Sequence, residues 1–395
     1  MANISFLLNH FPSGGVERVT MNLVAPLAHE KGHKFFIFVY KLNKEHLDGL
    51  DLPVTYIQLP HRTMDKRNLD VVVEAVKRYN IDLFISPIIS PKYIFALKKL
   101  NLCKVCYILH GVPFYELKEI ENGFHIKGNW GDGFGKFIKK HLLTIPKYKL
   151  GYYHRKIKSR YKKRYEYLDA FGVLNDKYKD LIAHNIGIDV DDPKFFTLQN
   201  PILPTEKALP AAERKKRVLY VGRLSYTDKR VDRLLVVWKK IYEMFPDWEL
   251  VIVGSGPEEG KLQKYVGQNK LPRVDFVPFT PSPEVYYMES EILCLTSDFE
   301  GCPMVLLEAQ QLGCATMAFD CSYGVRDILS PNWENGVYVP NGNIKAYAEA
   351  LSRLMKDEEL RRKIQKNGVE NVKRFSLDKS VEQYDAMIRE LCSER

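Results

Sequence analysis

Two successive series of short apolar runs, each run followed by a helix-like stretch, organise most of this 395-residue chain. In the first series Ile4 to Leu8, Lys34 to Tyr40, Val54 to Gln58, Asp82 to Ser86, Lys104 to Leu109 and Ala170 to Val173 read as buried parallel strands. Helices near Val16 to His29, Val71 to Arg78, Tyr93 to Leu100 and Lys177 to His184 fall between and after them. The second series has strands at Arg217 to Val221, Glu249 to Val253, Val274 to Val277, Ile292 to Leu295 and Ala315 to Ala318. Its helices are expected at Val231 to Phe245, Glu258 to Val266, Glu284 to Glu289 and Pro303 to Leu312. Continuous apolar strands alternating with helices belong to α/β proteins, whose parallel sheets are covered on both faces. The chain is therefore expected to form two βαβ domains in tandem, and 45% hydrophobic residues supply two cores. Asn200-Pro-Ile-Leu-Pro204 and the polar stretch to Lys216 read as the linker, and three helices close the chain: Ile344 to Lys356, Glu358 to Arg374 and Leu377 to Leu391.

The first strand runs into a loop ending in Gly14-Gly15, where paired glycines let the backbone approach a ligand at the strand's carboxyl end. Their spacing is not G-x-G-x-x-G, which argues against a nicotinamide-dependent dehydrogenase. His110 ends another strand, a position suited to a ligand, although taken alone a hydrogen-bonded structural histidine is the favoured reading.

The net charge of +10 is localised. Residues 133–165 carry 12 Lys/Arg and no Asp/Glu, which leaves 47 basic against 49 acidic residues elsewhere. Aromatic and aliphatic residues interleave with these cations, a mixture suited to an anionic membrane surface. A solvated basic face and a nucleic-acid surface are the competing readings, the last disfavoured because no recognised binding module surrounds the segment. No window approaches the roughly 20 apolar residues of a spanning helix, and the first residues are too short an apolar run for a signal peptide. A cytoplasmic protein is expected. Seven scattered cysteines read as reduced thiols, and Cys103-x-x-Cys106 as core rather than zinc, since no second ligand pair lies nearby. Asp189-Val-Asp191-Asp192 has the look of an Asp-x-Asp metal motif but precedes the linker, so no metal is expected there.

Two constellations in the second half carry chemistry. Gly222 and Arg223 follow the first strand of that half, with Lys229 shortly after; a guanidinium fork and an ammonium at a strand's carboxyl end suit a diphosphate, or are simply two surface cations. Further on, Glu300 and Glu308 bracket Pro303 at a helix start. Val305, Leu306, Ala309 and Leu312 form the apolar stripe of that helix, and Met304, Glu308 and Gln311 share the other face. The amides of Met304 and Val305 favour an anion, with Glu308 roughly 7.5 Å along the axis. Two acidic residues can also merely solvate a helix start.

Taken in order, Gly14-Gly-Val-Glu-Arg18, His110, Asn200-Pro-Ile202, Val221-Gly-Arg-Leu224 with Lys229, Val253-Gly-Ser-Gly-Pro257, and Glu300 with Glu308-Ala309 resemble the retaining GT-B glycosyltransferases of family four. The resemblance covers nearly the whole chain. It implies two Rossmann-like doubly wound domains facing a central cleft: residues 1–203, with the basic insertion 112–165 and the returning C-terminal crossover helix 377–395, as acceptor domain, and 204–376 as nucleotide-sugar donor domain. It further implies that Arg223 and Lys229 hold the diphosphate and Glu308 the ribose. Glu300 with Gly301, Cys302, Met304 and Val305 would hold the sugar, and Pro278 and Phe279 would line the base. Gly14, Gly15, Gly222 and Gly254 would admit the donor, with His110 touching the sugar from the acceptor side.

Asp320-Cys-Ser-Tyr-Gly-Val-Arg-Asp327 and Cys302-Pro303 depart from the common family pattern. The first is similar to a subgroup acting on lipid-linked glycans, which implies a UDP-hexose or UDP-N-acetylhexosamine donor, no cofactor, a saccharide or lipid-linked acceptor in polysaccharide biosynthesis, and a peripheral place on the inner face of the plasma membrane. Retention would proceed by front-face displacement, with Glu300 positioning the sugar and Asp298 the sole nearby candidate for a second carboxyl group. A sugar-nucleotide epimerase or hydrolase of the same architecture is the alternative.

Overall fold

The computed structural model describes the chain except for residues 13, 44–46, 48–51, 62–64, 88–90, 126–142, 206–213 and 394–395. Lys136, Lys139 and Lys140 of the basic run, and much of the expected linker, lie outside the described residues. The chain divides into two compact units: residues 1–114, 133–203 and 375–395, and residues 115–132 and 204–374.

The first unit is a seven-stranded parallel sheet of β1 (Asn3–Phe11), β2 (Lys34–Leu42), β3 (Val54–Gln58), β4 (Leu83–Ser86), β5 (Lys104–Leu109), β6 (Ala170–Val173) and β7 (Phe195–Thr197). Its spatial order is β3-β2-β1-β4-β5-β6-β7, so the strand order reverses between β1 and β4. Alternate residues Ile4, Phe6 and Leu8 of β1 pack in one core with Val19, Leu23 and Leu27 of the helix Gly15–His29. Val381, Tyr384, Met387 and Ile388 of the last helix, Leu377–Cys392, enter the same core, each burial contributing about 2 kcal/mol. Asp385 on that helix meets His33 Nε2 at 2.8 Å, and Arg389 meets Asp385 at 2.9 Å. The C-terminal helix is thus an integral layer of the first unit, and the Ile202 amide donates to the Phe375 carbonyl where the chain returns.

The second unit has six parallel strands: β8 (Lys215–Val221), β9 (Glu249–Val253), β10 (Val274–Val277), β11 (Ser290–Leu295), β12 (Ala315–Asp320) and β13 (Val337–Pro340). Their order is β10-β9-β8-β11-β12-β13, with the reversal between β8 and β11. Trp238, Trp248 and Tyr347 are buried in its core. Open α/β sheets bind ligands outside the carboxyl ends of the strands at such a reversal.

Several elements differ from expectation. The segment after β5 holds the helices Tyr115–His125, Ile145–Lys149 and Tyr152–Tyr167, and the first of these belongs to the second unit although its sequence lies inside the first. Strand β7 and the helix Tyr323–Leu329 were not foreseen, both being too short for periodicity to register. Among the described residues no helix is long and apolar enough to cross a membrane.

Candidate functional site in the second unit

At the carboxyl ends of β8 and β9 two loops touch backbone to backbone. Gly254 has φ 139°, and a Cβ there would stand 2.0 Å from the Gly222 carbonyl oxygen. Gly222 itself has φ 150°. The Gly222 amide donates to the Val253 carbonyl at 3.0 Å and the Leu224 amide to the Ser255 carbonyl at 3.0 Å, so the contact fixes where the chain enters Arg223. Replacing Gly254 by alanine is expected to cost about 3 kcal/mol, because the obstacle is backbone and φ is unsuited to an L side chain. Denaturant unfolding checks it; a midpoint within error of the parent would mean that the loops can part freely.

Beyond these glycines the loop after β8 presents Arg223, Asp228 and Lys229, and the loop after β11 presents Ser297, Asp298 and Glu300. The two loops meet through the Asp298 amide, which donates to the Asp228 carbonyl at 2.7 Å. Lys229 Nζ donates to Glu300 Oε1 at 2.6 Å, and Ser297 Oγ donates to the same oxygen at 2.6 Å. Burial works against the Lys229 ammonium, yet the Glu300 carboxylate and its hydrogen bond, with Asp228 beyond, outweigh it and hold the pKa above the ordinary lysine value. Arg223, largely exposed, donates from Nη2 to Asp228 Oδ2 at 2.8 Å. Burial raises Asp228, but hydrogen bonds from Ser225 and Arg223 prevail and its carboxyl lies below the usual range. The result is two cations oriented by two carboxylates, with Lys229 spending one of its three N–H donors on Glu300.

Asp298 is sealed under this site, 3% exposed, between Arg230 Nη1 at 3.1 Å and Arg233 Nη2 at 2.6 Å. Asn122 Nδ2, from the helix Tyr115–His125, donates at 3.1 Å to Oδ2, the oxygen that also accepts from Arg230. A carboxylate so occupied acts as a cross-link between the loops. Lys118, Glu121, Asn122, Tyr226, Arg230, Arg233 and Asp298 line a cavity of about 370 Å³ beside it.

The helix after Pro303 runs from Met304 to Gln311. Leu306, Leu307, Ala309 and Gln310 are buried, so the apolar stripe is shifted from that expected: Val305 is partly exposed, and Gln310 sits in the core. Its amide donates to Thr316 Oγ1 at 3.1 Å and to the Asn335 carbonyl at 2.8 Å, which satisfies it there. Glu308 is partly exposed and accepts from the Tyr287 hydroxyl at 2.8 Å. Gly301, Cys302, Met304 and Val305 lie between these carboxylates, all partly exposed. Burial pushes the Cys302 thiol up to about 12, so it stays protonated. Pro278 and Phe279 follow β10 at the surface, and the Phe279 amide donates to Ser255 Oγ at 3.1 Å.

Gly14, Gly15 and His110 belong to the first unit. Gly14, φ 134°, precedes the helix Gly15–His29, and Glu17 Oε2 occupies the space a Cβ would need. His110 follows β5; burial lowers its pKa to about 4, only partly offset by Asn200. Its imidazole is neutral across pH 5–8, and a ring-proton NMR signal that does not titrate between pH 8 and 5 is the expected result, a midpoint near 6.5 the contrary one. Because the folded pKa is lowered, His110 costs stability progressively as pH falls from 6.5 toward 4. Asp189 and Asp192 accept from the amides of Asp191 and Lys194 at 3.0 and 2.9 Å, an aspartate-rich turn, and no cluster suited to a metal occurs among the described residues. Cys103 and Cys106 are buried in the first unit.

Residues 204–371 match the family model described as glycosyl transferases group 1. These residues, somewhat less than half of the chain, are similar to that family. The chain is similar, at 38% identity over 162 residues, to an uncharacterised glycosyltransferase of Haemophilus influenzae, covering 41% of this chain and 45% of the relative. It is 34% identical over 153 residues to the amylovoran biosynthesis glycosyltransferase AmsD of Erwinia amylovora, covering 38% and 42%. The chain thus spans less than half the length of these curated relatives. Among solved structures, Anabaena Alr3699/HepE in complex with UDP-glucose superposes with a TM-score of 0.72 at 14% identity, covering 99% of this chain and 100% of that one. The fold is GT-B. Within residues 204–371, Asp228, Ser297, Tyr287 and the Asp298 network were not singled out from sequence. Asp228 stands beside Lys229 in the quoted motif and Arg230 is spaced i, i+3 from Arg233, but nothing local marks Asn122.

Proposed function

We propose that the protein is a metal-independent, retaining glycosyltransferase that moves a hexose or N-acetylhexosamine from a UDP-sugar to a saccharide acceptor, lipid-linked, in polysaccharide or glycan biosynthesis. The observation that carries this reading is the Lys229–Glu300 pair beside Arg223 at the strand-order reversal of a group 1 domain. Arg223 and Lys229 neutralise the diphosphate, the amides of Met304 and Val305 and the Glu300 loop hold the sugar, and Glu308 accepts the ribose hydroxyls. Exposed Phe279, with Pro278, offers an apolar face to the base. Catalysis is positioning and charge stabilisation: the leaving diphosphate takes the acceptor's proton while Glu300, anchored to Lys229, orients the sugar. The UDP choice leans on the UDP-glucose complex of the similar Anabaena protein.

Thermal stabilisation by a panel of UDP- and GDP-sugars tests it, since a ligand at 100 times its Kd adds about 2.7 kcal/mol. Stabilisation by none, or by GDP-sugars alone, defeats the UDP-sugar reading. Consumption of donor at full rate without acceptor would favour the epimerase or hydrolase alternative.

The basic segment is proposed to rest on anionic lipid at the inner face of the plasma membrane. The helix Tyr152–Tyr167 buries Ile157, Tyr161 and Tyr165 while Arg155, Lys156, Arg160, Lys162 and Lys163 are exposed together with Tyr152, and Leu150 precedes them 74% exposed. Reversing four of those charges should weaken binding to phosphatidylserine vesicles, at about 1 kcal/mol per cation, and leave UDP affinity unchanged. Equal vesicle binding removes the assignment.

A further inference from the structure

Asn122 has no place in the roles given above, yet its side chain bonds to two loops of the second unit. It lies in the helix Tyr115–His125, whose sequence falls between β5 and β6 of the first unit but which is counted with the second. Its side chain is buried, and its Nδ2 donates twice: to the Thr227 carbonyl at 3.0 Å and to Asp298 Oδ2 at 3.1 Å. Thr227 precedes Asp228 and Lys229; Asp298 is two residues before Glu300. Between these two acceptors runs the direct link from the Asp298 amide to the Asp228 carbonyl, 2.7 Å. The ring of Tyr115, at one end of the same helix, lies 6.2 Å from that of Phe299, tilted by 36°, immediately before Glu300. One amide from an inserted helix therefore clasps both loops that carry the Lys229–Glu300 pair.

Both partners of Nδ2 are acceptors only, so the position demands a group with two N–H donors. An aspartate would set a carboxylate against a carbonyl and the Asp298 carboxylate, an alanine would leave both acceptors without their donor, and a glutamine keeps the NH₂ one methylene further out. We propose that Asn122 is a positioning residue, holding the Asp228–Lys229 loop and the Asp298–Glu300 loop in register so that the ammonium and carboxylate stay paired for the donor diphosphate. The inference rests on the donor-site reading for its functional half and on geometry alone for its structural half.

The test compares Asn122→Ala, Asn122→Asp and Asn122→Gln in the full chain by amide hydrogen exchange and by UDP calorimetry. Exchange of the Asp298 amide should accelerate about tenfold in the alanine variant, more in the aspartate variant, and return toward the parent in the glutamine variant. UDP Kd should rise in the same order. Unaltered exchange at Asp298 overturns the proposal, as does faster exchange with unaltered UDP affinity. Should the alanine and aspartate variants fail to fold, Asn122→Ser, which keeps at most one donor, replaces them: faster exchange of the Asp298 amide than in the parent supports the proposal, and unaltered exchange overturns it. If the parent itself does not bind UDP, the donor reading has failed, and the exchange result still decides whether Asn122 clasps the loops.

Discussion

Glu300→Gln is expected to lower the rate of sugar transfer by about two to three orders of magnitude, the range for removing one preorganised electrostatic contact, with a smaller change in UDP affinity. The amide oxygen still accepts from Lys229, so the loop survives, but the ammonium loses its counter-charge at 2.6 Å. With Lys229 24% and Glu300 10% exposed, about 2 kcal/mol of stability should go with it. The pH dependence gives an independent check. In the parent the Lys229 pKa is raised, so its stabilisation is present in full below the unfolded lysine value of about 10.5 and is lost as pH rises through the folded one. The gap in stability between parent and variant should therefore be constant near neutrality and close above about pH 10.5. Unimpaired transfer by the variant would remove Glu300 from the site, and a covalent glycosyl adduct trapped on Glu300 in the parent would replace front-face displacement by a double displacement.

Asp298→Asn should be chiefly a stability lesion. It leaves Arg230 and Arg233, each about one-sixth exposed, facing a neutral amide in a sealed site. Breaking a buried pair in this way costs about 3 kcal/mol, or roughly 8 °C in a domain of this size. Calorimetry checks the value, and the same variant discriminates between roles. If Asp298 were the second carboxyl group of a double displacement, the variant would lose transfer while keeping its melting temperature. A cross-link predicts the reverse weighting, with residual transfer at low temperature and a large thermal shift.

The strands at Lys104–Leu109, Ala170–Val173 and Glu249–Val253 were legible to the residue because each is a buried run between clear breakers, and a parallel strand covered on both faces has no other way to be written. The helix Tyr152–Tyr167 was not, because only Ile157, Tyr161 and Tyr165 mark its buried side among seven cations and a histidine; the i, i+4, i+8 spacing was there to be counted. Gln310 misled for the opposite reason: a polar residue in a core is permitted only by partners at Thr316 and Asn335, which lie in other elements. The placement of Arg223 and Lys229 after β8, of Glu300 after β11 and of Glu308 on the helix Met304–Gln311 was readable because strand ends and breakers fix where these loops and this helix fall.

By itself the sequence determined the two parallel α/β layers, the glycine loops and the charged side chains at the carboxyl ends of β8 and β11, since these follow from periodicity, backbone freedom and local chemistry. Tertiary structure alone decided that Lys229 is paired with Glu300, that Asp298 is locked by two arginines rather than offered for chemistry, and that Asn122, distant in sequence, joins the two loops. Hydrogen bonds and ion pairs across 71, 68 and 176 positions leave no local pattern, because each partner is an ordinary polar residue until the fold brings them together.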